Sequence, residues 1–113
     1  MAEKTEEIIF RVQGSAPEPY VVVFKKAGNS LMASCTCAAG EMGQICKHRI
    51  GILEGSAEGI VSANQAAVKR IGELLGGTSL EAALSEVRKA EDHLQTAKKE
   101  LTIAKKKLSQ SLL

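Results

Sequence analysis

Three features of the sequence predict an α+β protein with a small β-rich head and a helical tail. Short β-branched runs lie between residues 8 and 35, a cysteine and histidine cluster follows them, and residues 80–113 contain neither Gly nor Pro. Together they predict an antiparallel β-hairpin or three-stranded sheet with a short helix, stapled by a metal ion, followed by a helical hairpin or coiled coil. We expect a head over residues 6–55 and a helical or coiled-coil region over residues 56–113.

The strands are predicted from composition and from the turns between them. Residues 8–12 and 20–24 are rich in Val, Ile and aromatic side chains, and residues 31–35 form a third candidate strand. Two prolines within residues 14–19 end the first run, and residues 27–30 are typical of a turn. A three-stranded antiparallel sheet is therefore expected at the front of the chain.

The cysteines indicate a metal site. Cys35, Cys37 and Cys46 are the three cysteines of the chain, an odd number that suits disulfides poorly, and His48 follows closely. Three thiolates and one imidazole are the ligands of a closed tetrahedral zinc site. Residues i and i+2 of a strand point to one side, so Cys35 and Cys37 can share an ion. Cys46 and His48 can join them if Cys46 precedes a helix and His48 lies in its first turn. One structural zinc is predicted.

The pattern C-x-C, a loop and C-x-H resembles that of the SWIM zinc finger family over roughly residues 20–55. The resemblance implies strands around the C-x-C, a helix after the histidine, and ligand roles for the four residues. Because members are thought to bind DNA or other proteins, it also implies an interaction module. Iron–sulfur proteins of the CDGSH class, the rival metal site, place their histidine four residues after the third cysteine. Here the histidine is two residues away.

The tail predicts a long helix with a heptad seam. Capping signatures at Ser62 and Thr78 indicate a first helix ending near Leu75 and a second opening near Leu80. In the second, each large apolar residue is followed three positions later by a small one, a pattern that brings helices close and is often antiparallel. About 34 residues give a rod of roughly 50 Å, too long for the head to cover. We therefore expect a homo-oligomer, with a monomeric hairpin as the alternative. The predicted seam is Leu80, Val87, Leu94, Leu101 and Leu108.

Charge and composition favour a protein partner and keep DNA as the alternative. Residues 1–55 carry six basic and six acidic side chains, so their net charge is zero, and aromatic residues are 3% of the chain. Neither property is typical of a nucleic-acid surface. Basic residues near the zinc loop and on the tail nevertheless remain candidate contacts to phosphate or to a protein. They are Lys25, Lys26, Lys47 and Arg49 in the head, and Lys98, Lys99, Lys105, Lys106 and Lys107 in the tail.

The sequence favours binding over catalysis. A four-ligand site leaves zinc no open position, and no nucleotide-binding or hydrolase motif is found, so we expect no catalytic residues and no small-molecule substrate. A thiol-redox or metal-sensing protein is a third hypothesis. No apolar stretch approaches the roughly 20 residues of a membrane span, and from the polar, acidic start of the chain we expect no secretory signal. The expected location is cytoplasmic, or nuclear or nucleoid-associated if the DNA hypothesis holds.

Overall fold

The protein, in a computed structural model that describes residues 5–113, combines a three-stranded antiparallel sheet with short helices and one long C-terminal helix. The predicted α+β class is confirmed. The elements are β1 Thr5–Val12, β2 Tyr20–Ala27, β3 Ser30–Cys35, α1 Ala38–Glu41, α2 Lys47–Leu53, a 3₁₀ turn Gln65–Ala67, α3 Val68–Leu75 and α4 Ser79–Ser111.

The chain divides into two compact units. The first extends through Leu80 and the second covers Glu81–Leu113. The first unit therefore continues beyond the β-rich head to include α3. The expectation that residues 6–55 and 56–113 are separate domains stays a prediction.

The sheet has the order β1-β2-β3, and both pairs of neighbours are antiparallel. A two-residue turn joins β2 to β3, with Gly28 at φ 58, a left-handed conformation that glycine adopts without strain. The register places Phe10 opposite Val22 and Val22 opposite Cys35. This row of side chains runs across all three strands and ends at the first of the candidate ligands.

The hydrophobic core lies on one face of the sheet. Buried residues alternate along each strand, as a half-buried sheet requires, and the rings of Phe10 and Phe24 meet edge to face with centroids 6.0 Å apart. Helices α2 and α3 contribute further buried residues to this core. These residues are Ile52, Leu53, Val68, Ile71, Leu74 and Leu75.

The segment after α2 covers the free edge of β1. Residues 59–61 pair with it: the Val61 N–H donates to the carbonyl of Arg11, and the Gln13 N–H donates to the carbonyl of Gly59, both at 2.8 Å. The Ser62 hydroxyl accepts from the Arg11 N–H at 3.1 Å. The predicted helix start at Ser62 is therefore wrong, because its side chain completes the strand edge and regular helix begins only after the 3₁₀ turn.

Polar contacts also tie α3 to the sheet. The Arg70 guanidinium binds both carboxylate oxygens of Glu6, at 2.8 and 2.7 Å, and these hydrogen bonds hold the pKa of Glu6 below its usual range. The ammonium group of Lys26 donates to the carbonyl of Leu74 at 2.8 Å, near the end of α3. These contacts fix α3 relative to β1 and β2.

Helix α4 is continuous over its 33 residues, and the expected long helix is confirmed. Thr78, at its start, donates its hydroxyl to the carbonyl of Leu75 at 2.6 Å. Four of the predicted seam residues, Val87, Leu94, Leu101 and Leu108, are between 45% and 61% exposed, and Leu84 alone is buried among residues 81–113. Among the helices of residues 5–113, none has both the length and the apolarity that a membrane span needs.

Candidate metal centre

Four side chains meet where the sheet passes into the helices. Cys35 ends β3, Cys37 is the N-cap of α1, Cys46 is the N-cap of α2, and His48 lies in the first turn of α2. The predicted placement of Cys46 just before a helix is confirmed. The loop between the two pairs includes the single-turn helix α1.

The four ligand atoms are close enough to hold one structural zinc. All lie within 4.8 Å of one another. The Sγ atoms of Cys37 and Cys46 are 3.4 Å apart, and His48 Nδ1 lies 3.6 Å from Cys46 Sγ and 3.8 Å from Cys35 Sγ. Tetrahedral zinc with bonds of about 2.0–2.3 Å separates neighbouring ligand atoms by about 3.5–3.8 Å. The three separations given above are close to this range, the remaining pairs lie within 4.8 Å, and the three cysteines are buried.

The strand holds the first pair of ligands on one side. Thr36, between the two cysteines, continues the pairing with β2: its N–H donates to the Val21 carbonyl at 3.1 Å, and its hydroxyl accepts from the Val21 N–H at 2.9 Å. The backbone of Cys37 is extended, with φ −67° and ψ 162°. Because the extended geometry persists through Thr36, Cys35 and Cys37 point toward the same ion.

Helix α1 packs tightly against the end of β3, and Gly40 makes this approach possible. A Cβ atom at Gly40 would collide with the carbonyl oxygen of Cys35 and lie 2.8 Å from its Cβ. The Gly40 N–H also donates to Cys37 Sγ at 3.3 Å. In the sequence Gly40 reads as a turn residue, and no local signal marks its contact with a ligand.

Arg49 fastens the loop between the ligand pairs. Its guanidinium donates to the carbonyl of Ala33 in β3 at 3.1 Å and to the carbonyl of Gln44 in the loop. One side chain thereby connects the strand that carries Cys35 to the segment that carries Cys46. A bridge of this kind keeps the two halves of the site at a fixed separation.

The His48 ring is half-buried and is contacted from two places in the sheet and its loops. Tyr20 packs against it with ring centroids 5.0 Å apart. Gly14 allows the β1–β2 loop to lie over both rings, since a Cβ there would be 2.5 Å from Tyr20 Cε2 and 3.3 Å from His48 Nε2. Contacts around a ligand fix its orientation toward the metal. Tyr20 and Gly14 are thus site residues that sequence reasoning missed.

The thiols differ in how readily they ionise. Burial, followed by the neighbouring sulfurs of Cys37 and Cys46, raises the pKa of Cys35 to about 12. Burial also opposes ionisation of Cys46, but the backbone N–H of Arg49 and the surrounding ligand groups outweigh it and lower the pKa of Cys46 to about 6. Three thiolates so close together repel one another unless a cation lies between them. The donor set thus fits a divalent metal that binds sulfur.

The candidate basic contacts fall into two groups. The side chains of Lys26 and Arg49 donate to backbone carbonyls within the first unit. Lys25 and Lys47 are exposed, and Lys25 faces Glu7 across β1 and β2. The geometry therefore leaves Lys25 and Lys47 as the more accessible cations of the four.

Replacing His48 by Ala should remove the zinc. We expect affinity to fall by at least roughly a hundredfold, since even a residue that only orients a ligand changes affinity by about 10–100-fold. The sheet should lose amide hydrogen-exchange protection while α4 stays helical. His93→Ala is the matched control, because His93 is the other histidine and is exposed on α4. Elemental analysis and hydrogen exchange are the measurements; one zinc per chain in His48→Ala would contradict the assignment.

Replacing Gly40 by Ala should weaken zinc binding through the backbone. The added methyl group forces α1 away from Cys35, a strain that costs about 1–3 kcal/mol in a tightly packed site. Gly51→Ala is the control, because a Cβ at Gly51 in α2 meets nothing within 4 Å and should stabilise that helix by about 0.5–1 kcal/mol. Zinc competition against a chelator compares the two variants. Equal affinities would show that the approach of Gly40 to Cys35 does not support the site.

Comparison with known proteins agrees with this geometry. The sequence model of the SWIM zinc finger matches residues 10–54, which run from the last residues of β1 through α2 and include all four ligands. No curated protein and no solved structure matches the chain. The resemblance drawn from the C-x-C and C-x-H pairs is confirmed for this part of the chain. Residues 10–54 thus match the SWIM zinc finger model, and within them Cys35, Cys37, Cys46 and His48 lie together as the ligands of one structural zinc.

Proposed function

We propose that the protein is a non-catalytic adaptor that binds a protein partner through its zinc finger and self-associates through α4. The observation that carries the proposal is the uncovered apolar seam on α4. The zinc has a full set of four protein ligands, which supports a structural role for the metal and a function in binding. A cytoplasmic location remains part of the proposal.

Self-association is supported by the regularity of the seam. Val87, Leu94, Leu101 and Leu108 recur every seven residues on one continuous helix, and each is about half exposed. Water contact with such a row of side chains is unfavourable, at about 25 cal/mol for each Å² of apolar surface. A second copy of α4 would bury the row by packing each large residue into the facing helix.

Changing Leu101 and Leu108 together to Glu should dissociate the oligomer. Each Leu buried in the interface contributes about 1.5–3 kcal/mol to the free energy of association. The association constant should therefore fall by more than about a hundredfold. The matched control is Ile103→Glu with Gln110→Glu: Ile103 and Leu101 are both 55% exposed, but the control pair lies on another face. Sedimentation equilibrium should give the 12.0 kDa monomer only for the seam variant. Unchanged mass in the seam variant would contradict self-association.

The contact with a protein partner is proposed for the surface beside the zinc loop. Met42 and Ile45, between the ligand pairs, are 73% and 77% exposed. Ile45 borders a groove of about 310 Å³ whose walls include Leu31, Ile50 and Leu53. Exposed apolar side chains beside an apolar groove are typical of protein-binding surfaces. A partner segment that inserts an apolar side chain fits this surface.

Ile45→Asp should abolish partner binding without affecting the metal. A carboxylate at the groove must be desolvated when an apolar side chain enters. Val61→Asp is the control, since Val61 is also exposed, at 55%, but does not line the groove. Affinity capture from cells of the source organism, with zinc content measured in parallel, should show proteins lost with Ile45→Asp and retained with Val61→Asp. Equal capture by both variants would show that the partner binds a different surface.

A DNA-binding accessory factor is the second candidate. Its specific support is the group of exposed lysines between residues 98 and 107 of α4, where Glu100 is the nearby acidic residue. Against it, Lys26 and Arg49 use their donors on backbone carbonyls. Binding of a short DNA duplex whose log affinity falls steeply with log salt concentration would favour this candidate over the protein adaptor.

A further inference from the structure

We infer that two copies of α4 pair antiparallel, in the register that places the middle of the seam, between Leu94 and Ala97, on the two-fold axis. This inference rests on the proposed self-association and adds its direction. The occupant of the exposed seam is then a second copy of the same helix, reversed. Two independent properties of α4 select this arrangement: the sizes of the seam residues and the charges beside them.

The sizes favour the antiparallel register because it pairs every large residue with a small one. In a parallel pair, each seam residue faces the same residue of the other copy. Layers of two Leu side chains therefore alternate with layers of two Ala side chains. Alternating wide and narrow layers leave either gaps or overlaps along a straight helix. In the antiparallel register each layer holds one large and one small residue. The layers formed by the exposed seam residues are Val87 with Ala104, Leu94 with Ala97, Leu101 with Ala90, and Leu108 with Ala83; Leu80 is half-buried beside the groove of the first unit and is not counted.

The flanking charges give the same direction. In the antiparallel register, Glu86 of one copy faces Lys107 of the other, and Glu91 faces Lys98. Both pairs are attractive, and the two-fold axis produces each of them twice. All four side chains are exposed in the single chain, so they are available to a partner. Charges at these flanking positions set the orientation of paired helices.

The parallel arrangement is less favourable by the same criterion. There, Glu86 faces Glu91 of the partner, which is repulsive, while Glu100 faces Lys105, which is attractive. The attraction of one pair and the repulsion of the other nearly cancel. The parallel pair therefore has no net electrostatic preference, whereas the antiparallel pair has one at both ends.

The distribution of charge along the helix extends this argument. Residues 79–96 carry four acidic and two basic side chains, a net charge of −2, whereas residues 97–111 carry five basic and one acidic, a net charge of +4. Antiparallel pairing places the acidic half of each helix against the basic half of the other. Parallel pairing places like halves together, at a cost that grows as salt concentration falls.

A single charge reversal tests the direction of pairing, because the two arrangements predict opposite changes in the affinity of the dimer. Glu86→Lys should weaken an antiparallel dimer about fivefold, since two attractive pairs become repulsive. In a parallel dimer the same change replaces Glu86–Glu91 repulsion by attraction and strengthens association. Adding Lys107→Glu should restore the affinity to within about twofold of the unchanged protein in the antiparallel case. Asp92→Lys, an equal change of charge on the outward face, is the control. Dissociation constants at low salt come from sedimentation equilibrium.

Zero-length carbodiimide cross-linking gives a direct readout on the unchanged protein. Glu86 and Lys107 are roughly 30 Å apart along one helix, so a bond between them joins two copies. Mixing isotope-labelled and unlabelled chains should yield mixed-isotope Glu86–Lys107 and Glu91–Lys98 links. If mixed-isotope Glu100–Lys105 links form and the Glu86–Lys107 and Glu91–Lys98 links do not, the antiparallel register is overturned while self-association is preserved. A monomeric mass for the unchanged protein would overturn self-association itself, and the register with it.

Discussion

Coordination of one zinc ion is the interaction on which the front of this molecule depends. It joins the end of β3 to the start of α2, two places that a small hydrophobic core alone would hold weakly. Zinc binding in finger peptides contributes about 10–16 kcal/mol, comparable to or above the whole stability of a small domain. The row from Phe10 through Val22 to Cys35 connects the ion directly to the core, so metal and core form one packed structure.

The surroundings of the zinc have a consequence for function. Arg49 holds the strand and the zinc loop together, and Lys26 fastens the end of α3, so these two cations contribute to the fold. The same interactions engage the donor groups of both cations with backbone carbonyls, so these donors are not free for a phosphate. Apolar side chains are instead exposed at the zinc loop, and this contrast favours a protein partner.

Short-range patterns predicted the ligands, the strands and the long helix, because each depends on spacing within a few residues. The i, i+2 cysteines on a strand and the seven-residue period of α4 are of this kind. Ser62 could not be predicted in this way: its capping signature is local, but the edge of β1, some 50 positions earlier, offers its hydroxyl a competing partner. Gly40 was missed for another reason: Cys35 is only five positions away, but the need for glycine arises from the three-dimensional approach of α1 to the end of β3. Where a distant element decides a residue's role, spacing carries no signal.

Under the proposed self-association, the alternation of large and small residues along the seam sets the direction in which two copies of α4 pair. A seam of large residues alone pairs helices in either direction, whereas a large-to-small repeat with an acidic first half and a basic second half favours one. Antiparallel pairing places the two Ser79 residues at opposite ends of a helix pair about 50 Å long. Because each zinc finger is joined to that end of its own helix, the dimer would carry two binding modules at separate points. Two modules linked by a stiff spacer bind a target that has two binding sites more tightly than either module alone does. This requires that the distance between the two sites match the length of the helix pair. Under the proposed pairing, the direction of the helices therefore decides whether the two Ser79 ends lie together or about 50 Å apart.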